Sequence, residues 1–153
     1  MNENVEMLNY IYKNAQMGQH SINHLLEIIE NDSKLKNLLD NQFMEYKTIF
    51  DTAEKSLNEL GHEGKGNSKI QKFETYMMID IKTLTNKSSD HVAEMLIQGS
   101  TMGIIQITRR LKDYSGSIDK NVQKLAEKLL SIEQHNVEEC RKFLGKAFDV
   151  AHA

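Results

Sequence analysis

Few side chains in this sequence are spaced for chemistry, and those that are lie one helical turn apart. His20 and His24 are four residues apart, with Glu27 three further on. On a helix the three share a face, and two imidazoles at that spacing can chelate a divalent cation. His91 with Glu94, and His135 with Glu138, have ligand spacing too. Such pairs arise by chance in helices rich in Glu and are weak signals. The single cysteine, Cys140, has no partner for an internal disulfide. It falls on an apolar stripe and reads as a small core residue rather than a nucleophile. No glycine-rich phosphate loop follows a strand, and no Ser-His-Asp or Cys-His grouping is suggested. Catalysis is therefore not the expectation.

The elements that must carry these residues are helical. There is no proline among 153 residues, so the main obstacle to long helices is missing. The first helix is expected from about Glu3 to Glu30, with Val5, Leu8, Tyr12, Ala15, Gln19, Ile22, Leu26 and Ile29 as its inner stripe. A second is expected from about Lys34 to Leu60, capped by Asp32 or Ser33 and stopped at Gly61. Its inward positions are Leu35, Leu39, Gln42, Tyr46, Ile49, Ala53 and Leu57. After the Gly64-Lys65-Gly66 loop, Ser68 can open a third helix reaching about Thr85. A fourth follows from about Asp90 to Tyr114, with Ser89 or Asp90 as N-cap, and a fifth from about Ile118 to Val150. One helix from Ser68 to Tyr114 would be ~70 Å long and would overhang its neighbours, which favours a break near Lys87.

The chain also repeats itself. Met17-Gly18, Ile22 and Leu26 recur 85 residues later as Met102-Gly103, Ile107 and Leu111. Leu35, Leu38, Phe43, Phe50, Ala53 and Leu57 recur 87 residues later as Val122, Leu125, Leu130, Val137, Cys140 and Leu144. A repeat of this kind implies two helical hairpins related by pseudo-symmetry. The link between them contains a helix of ~27 Å, long enough to carry the chain most of the way along a ~40 Å bundle. That length predicts an inverted second hairpin. The expectation is one domain over residues 1–153, all-α. Hairpin 1 spans about 3–60, the loop and crossover helix 61–87, and hairpin 2 about 88–150.

In these respects the chain resembles the ferritin-like superfamily, four-helix bundles of two pseudo-symmetric hairpins joined by a long crossover. The resemblance is one of architecture over Glu3 to Val150. It implies a mid-bundle di-metal centre held by one Glu from each of two helices and Glu-x-x-His from each of the other two. The sequence departs from that pattern. Gln19 and Ile104 stand where a Glu is required on the first and fourth helices. Tyr46 and Ile49 stand in the place of one Glu-x-x-His, although Glu45 is adjacent, and Glu133-x-x-Asn136 replaces the other. One inner carboxylate cannot balance two iron ions. The di-metal site therefore reads as degenerate, and ferroxidase or oxygenase activity is not expected.

What remains is a polar layer at the bundle centre, made of Gln19, Gln42, Tyr46, Glu133 and Asn136. It reads as a hydrogen-bonded network that fixes helix register, or as a small-ligand or metal pocket. Buried without a cation, Glu133 should have a raised pKa. No cofactor is the expectation. Fe, Mn or Zn would need non-standard ligands from Glu133, Glu45, His20, His24 and His135. The His20-Ser21-Ile22-Asn23-His24 segment also looks loosely like the phosphoacceptor region of histidine phosphotransfer bundles. Net charge is −3, and the densest basic spot, Arg109-Arg110-Leu111-Lys112, is too short to follow a phosphate backbone. Nucleic acid and membrane are excluded as partners, and self-association as a homodimer is expected. The polar, acidic N-terminus does not read as a secretory signal, and with one cysteine it points to the cytoplasm. The function this leads to is a binding or assembly role for a bundle without a di-iron centre.

Overall fold

The computed structural model describes residues 2–29, 32–62 and 88–145. Four helices account for most of them: α1 (Glu3–Ile28), α2 (Ser33–Glu59), α3 (Ser89–Asp113) and α4 (Lys120–Arg141). The expected crossover helix falls in 63–87, outside the described residues. No described helix is long and apolar enough to cross a membrane.

Three of the four helices begin where a short polar side chain accepts from a free backbone N–H, and α4, after Asp119, has no such bond. Asn2 accepts from the Asn4 N–H at 2.7 Å, and Asp32 from the Leu35 N–H at 3.0 Å. Ser88, rather than Ser89 or Asp90, caps α3, accepting from the His91 N–H at 3.2 Å. Its backbone is extended, with φ −63° and ψ 151°, so α3 starts there, while Lys87 lies outside the described residues. At the far end of α2, Gly61 has φ 76°, and the His62 N–H reaches back to the Leu57 carbonyl at 2.9 Å. That left-handed turn is the glycine-dependent helix stop the sequence foretold. The last helix is shorter than expected. It ends at Arg141 rather than near Val150, and the chain turns at Gly145, where φ is 91°. The Asp90 carboxylate accepts the Gly145 N–H at 2.6 Å, which holds that turn against the start of α3.

Cross-helix hydrogen bonds give the directions. Tyr114 donates to Glu6 at 2.8 Å and Tyr10 to Gln106 at 3.2 Å, so α1 and α3 run antiparallel. Gln42 meets Cys140 and Asn136 meets Tyr46, so α2 and α4 are antiparallel too. The Asp119 N–H donates to Asn4 at 2.8 Å, placing the starts of α1 and α4 at one end. Ser89 donates to Asp32, placing the starts of α2 and α3 at the other. The end of α2 and the start of α3 therefore lie at opposite ends of the bundle.

The core follows from helical periodicity. All seven inward positions expected on α2 are buried. On α4, the buried Val122, Ala126, Leu129, Glu133, Asn136 and Cys140 stand 87 residues after Leu35, Leu39, Gln42, Tyr46, Ile49 and Ala53. The α1 stripe is broader than expected and turned. Met7, Tyr10, Ile11, Asn14, Met17, Ser21 and Leu25 are buried in addition, while Tyr12, Gln19 and Leu26 are half-buried. The cause is packing on several sides: α1 touches each of the other three helices, so a single-face stripe underestimates its buried arc.

Candidate functional site

Glycines open the middle of each hairpin. A Cβ on Gly18 of α1 would sit 2.8 Å from the Tyr46 ring on α2, and one on Gly103 of α3 would sit 3.1 Å from the Glu133 carboxyl on α4. Both helices therefore accept a large side chain from their partner, at Gly18 where a Cβ would collide with the ring and at Gly103 where it would crowd the carboxyl. Those side chains, Tyr46 and Glu133, reach the bundle centre and meet there.

Glu133 is 2% exposed. Burial raises its pKa from an ordinary 4.5 to about 7, against the opposing effect of hydrogen bonds with the Tyr46 and Ser100 side chains. Burial, and then the nearby Glu133 carboxyl, hold the Tyr46 phenol well above its usual pKa. Asn136 donates to the Tyr46 hydroxyl at 3.5 Å. Beside this pair lies a cavity of about 40 Å³ whose polar walls are Asn14, Ser21, Gln42, Tyr46, Ser100 and Glu133. Two wall atoms, Ser21 Oγ and Glu133 Oε2, are buried with no hydrogen-bond partner. Orphaned polar atoms of this kind are rare in a native core.

A second polar chain continues from the cavity toward the start of α1. Asn14 donates to the Tyr10 hydroxyl at 3.1 Å, and Tyr10 donates to Gln106. The Arg110 guanidinium lies 4.3 Å above the Tyr10 ring. At the opposite side, Gln42 donates to the Cys140 thiol at 3.6 Å. Burial lifts the pKa of that thiol to about 11.

The structure thus brings together four of the five residues of the expected layer: Gln42, Tyr46, Glu133 and Asn136. Gln19 does not join them. It is half-buried, and its amide turns back to the Ala15 carbonyl at 3.3 Å. Asn14, Ser21 and Ser100 take part instead, and a one-face reading of α1 and α3 missed them. A signal was present: Ser21 follows Gly18 by three residues and Ser100 precedes Gly103 by three, so each shares a face with its glycine.

The five candidate metal ligands fall into three separate places. Glu133 is in the core. His20 and His24 lie on α1, His20 exposed and His24 half-buried. Glu45 and His135 line one groove between α2 and α4, together with Glu139, Lys34 and Lys142. There the Glu139 carboxylate is already engaged. Lys142 contacts Glu139 at 2.7 Å, and His135 lies 3.6 Å from the other Glu139 oxygen. The Lys142 hydrogen bond holds Glu139 below its ordinary pKa. Partial burial raises that of Glu45, opposed by His135 and Lys128. Among the described residues no three His, Cys, Asp or Glu side chains converge on a point that could hold a metal ion. The ligand set of a ferritin-type di-metal centre does not fit the single carboxylate found at the bundle centre.

The other sequence candidates are surface pairs. His91 lies 3.7 Å from Glu94, and Glu138 is taken by Arg141 at 2.9 Å rather than by His135. Comparison with known protein families, curated proteins and solved structures gives no match.

Proposed function

We propose that this chain is a ferritin-like bundle of two repeated hairpins joined by a crossover helix, and that it works in the cytoplasm by binding rather than by redox catalysis. The observation that carries the reading is the cavity beside Glu133, which has one carboxylate among neutral hydroxyls and amides. A redox di-metal centre needs several carboxylates to neutralise its ions, and a single Glu cannot do so. Alternation of helix direction supports the architecture, because the end of α2 and the start of α3 lie at opposite ends of the bundle. The recurrence of buried positions 87 residues apart on α2 and α4 supports the repeat.

Elemental mass spectrometry of untagged protein tests the reading, with Glu133→Ala as the control. The expected result is far less than one Fe, Mn or Zn per chain. About one or more per chain, lost in the variant, would overturn it and make the chain a metalloprotein with non-standard ligands.

A further inference from the structure

The walls of the central cavity leave two buried oxygens unpaired, one of them on a carboxyl. Glu133 Oε2 and Ser21 Oγ have no partner, and both side chains are more than nine-tenths buried. The Gln42 amide nitrogen is committed to Cys140 and the Asn14 amide nitrogen to Tyr10. Each of those amides keeps a carbonyl oxygen and a second N–H. None of the described residues lining the cavity is basic. A buried carboxylate with no basic side chain in its wall lacks a counter-charge, which water cannot supply and a cation can.

The donor set also selects the kind of cation. The polar groups of the wall are hydroxyls, amides and one carboxyl, its one sulfur is the Met17 thioether, and it includes no thiol or imidazole, so borderline transition metals are disfavoured. One carboxylate balances one positive charge. Calcium needs six to eight oxygen ligands with more acidic charge, and magnesium dehydrates reluctantly. The cavity of about 40 Å³ admits roughly three water-sized spheres. That is room for one small ion with part of its hydration shell.

We infer that the cavity bounded by Ser21, Gln42, Ser100 and Glu133 binds one small singly charged cation of the alkali or ammonium class, with the Glu133 carboxylate as its counter-charge. The inference rests on the binding reading above and names its ligand class. The glycine at 103 serves the same end. Its missing side chain leaves the carboxyl of Glu133 free to sit deep in the bundle, where Ser100 hydrogen-bonds with it and Ser21 lines the same cavity.

Thermal unfolding at pH 8 tests this, at constant ionic strength, with Na⁺, K⁺ or NH₄⁺ replacing tetramethylammonium, which is too large to enter. The expected result is a saturable rise in melting temperature with at least one of the three, by the linkage of folding to ligand binding. The three arms separate an alkali ion from ammonium. Glu133→Gln, close in shape and uncharged, should abolish the rise. Ser21→Ala, which keeps the charge, should weaken the apparent affinity about tenfold, as loss of one ion ligand would. The proposal is overturned if tetramethylammonium is as effective as the small cations, if no cation has an effect, or if the rise persists in Glu133→Gln. An effect of pH with none of cation identity would leave Glu133 as a buried acid and overturn the inference alone. Stoichiometric transition metal would overturn the binding reading on which it rests.

Discussion

Tyr46 and Glu133 meet at the bundle centre, 87 residues apart in sequence, each packed against a glycine of the helix before its own. The two glycines, Gly18 and Gly103, are themselves 85 residues apart. The same local device, a mid-helix glycine that admits one large inward side chain, is thus used once in each hairpin. One copy supplies a phenol and the other a carboxyl, and the two hydrogen-bond to each other.

The glycines should differ in tolerance. In Gly18→Ala the new methyl would meet Cγ and Cδ2 of the Tyr46 ring at 2.8 Å. That ring is the body of a buried side chain and cannot retreat without repacking. Overpacking of ~1–3 kcal/mol then outweighs the ~1 kcal/mol gained in helix propensity. A net loss of about 1 kcal/mol or more is expected in urea unfolding. In Gly103→Ala the contact is 3.1 Å to the end of the Glu133 side chain, which has the cavity beside it. There the two effects should cancel to within about 1 kcal/mol.

Stability should fall with rising pH through one identifiable group. Glu133 has a pKa near 4.5 when unfolded and about 7 when folded, so the native state holds the extra proton between those values. Its contribution is complete below about pH 4.5, declines across the interval and is lost above about pH 7. The span corresponds to roughly 3 kcal/mol. The groups facing Glu133 are Tyr10 from α1, Tyr46 from α2 and Ser100 from α3, none of which gains or loses a proton in this range. Unfolding free energies measured from pH 4.5 to 8 in tetramethylammonium buffer check the slope. Glu133→Gln should remove most of it, and an unchanged slope in that variant would assign it elsewhere.

Tyr46→Phe separates the ring from its hydroxyl. The ring still fills the space over Gly18, so packing is kept. The lost hydroxyl strips Asn136 and Glu133 of a partner, a cost of about 1–2 kcal/mol. Because that hydrogen bond lowers the Glu133 pKa, its removal should raise it further. Carboxyl-carbon NMR titration reads the shift directly. A fall instead would mean that Tyr46 favours the neutral acid.

The sequence was most legible where one helix presents one face. On α2, Leu35 to Leu57 could be read position by position, because the steps of three and four coincide with its buried side. It was least legible on α1, whose buried arc is wider than one stripe. Asn14 and Ser21 look like solvent-facing positions in a single-stripe reading, and Gln19, on the edge of the stripe, looks like a core residue. The metal candidates lie apart for a different reason. Spacing along one helix places His20 and His24 on a common face, but it does not say what stands opposite that face. Glu133 could be recognised as a lone inner carboxylate. That Ser21 and Ser100 line the same cavity depends on helix rotation, which periodicity alone does not fix.

The two hairpins are also tied at one end through a single carboxylate. Asp32 accepts the Leu35 N–H with Oδ1 as the cap of α2, while its Oδ2 accepts the hydroxyl of Ser89 from the start of α3. The two roles can be separated by substitution. Ser89→Ala breaks only the link between hairpins and should cost about 1 kcal/mol. Asp32→Ala removes the cap as well, for about 2 kcal/mol in total. Asp32→Asn keeps a good cap but gives up the charge-assisted hydrogen bond, so its loss should resemble that of Ser89→Ala. Because the serine acts only through Asp32, the double variant Asp32→Ala with Ser89→Ala should be scarcely less stable than Asp32→Ala alone. Additive losses in the urea-unfolding cycle would show that the contact between the hairpin ends contributes nothing to holding them together.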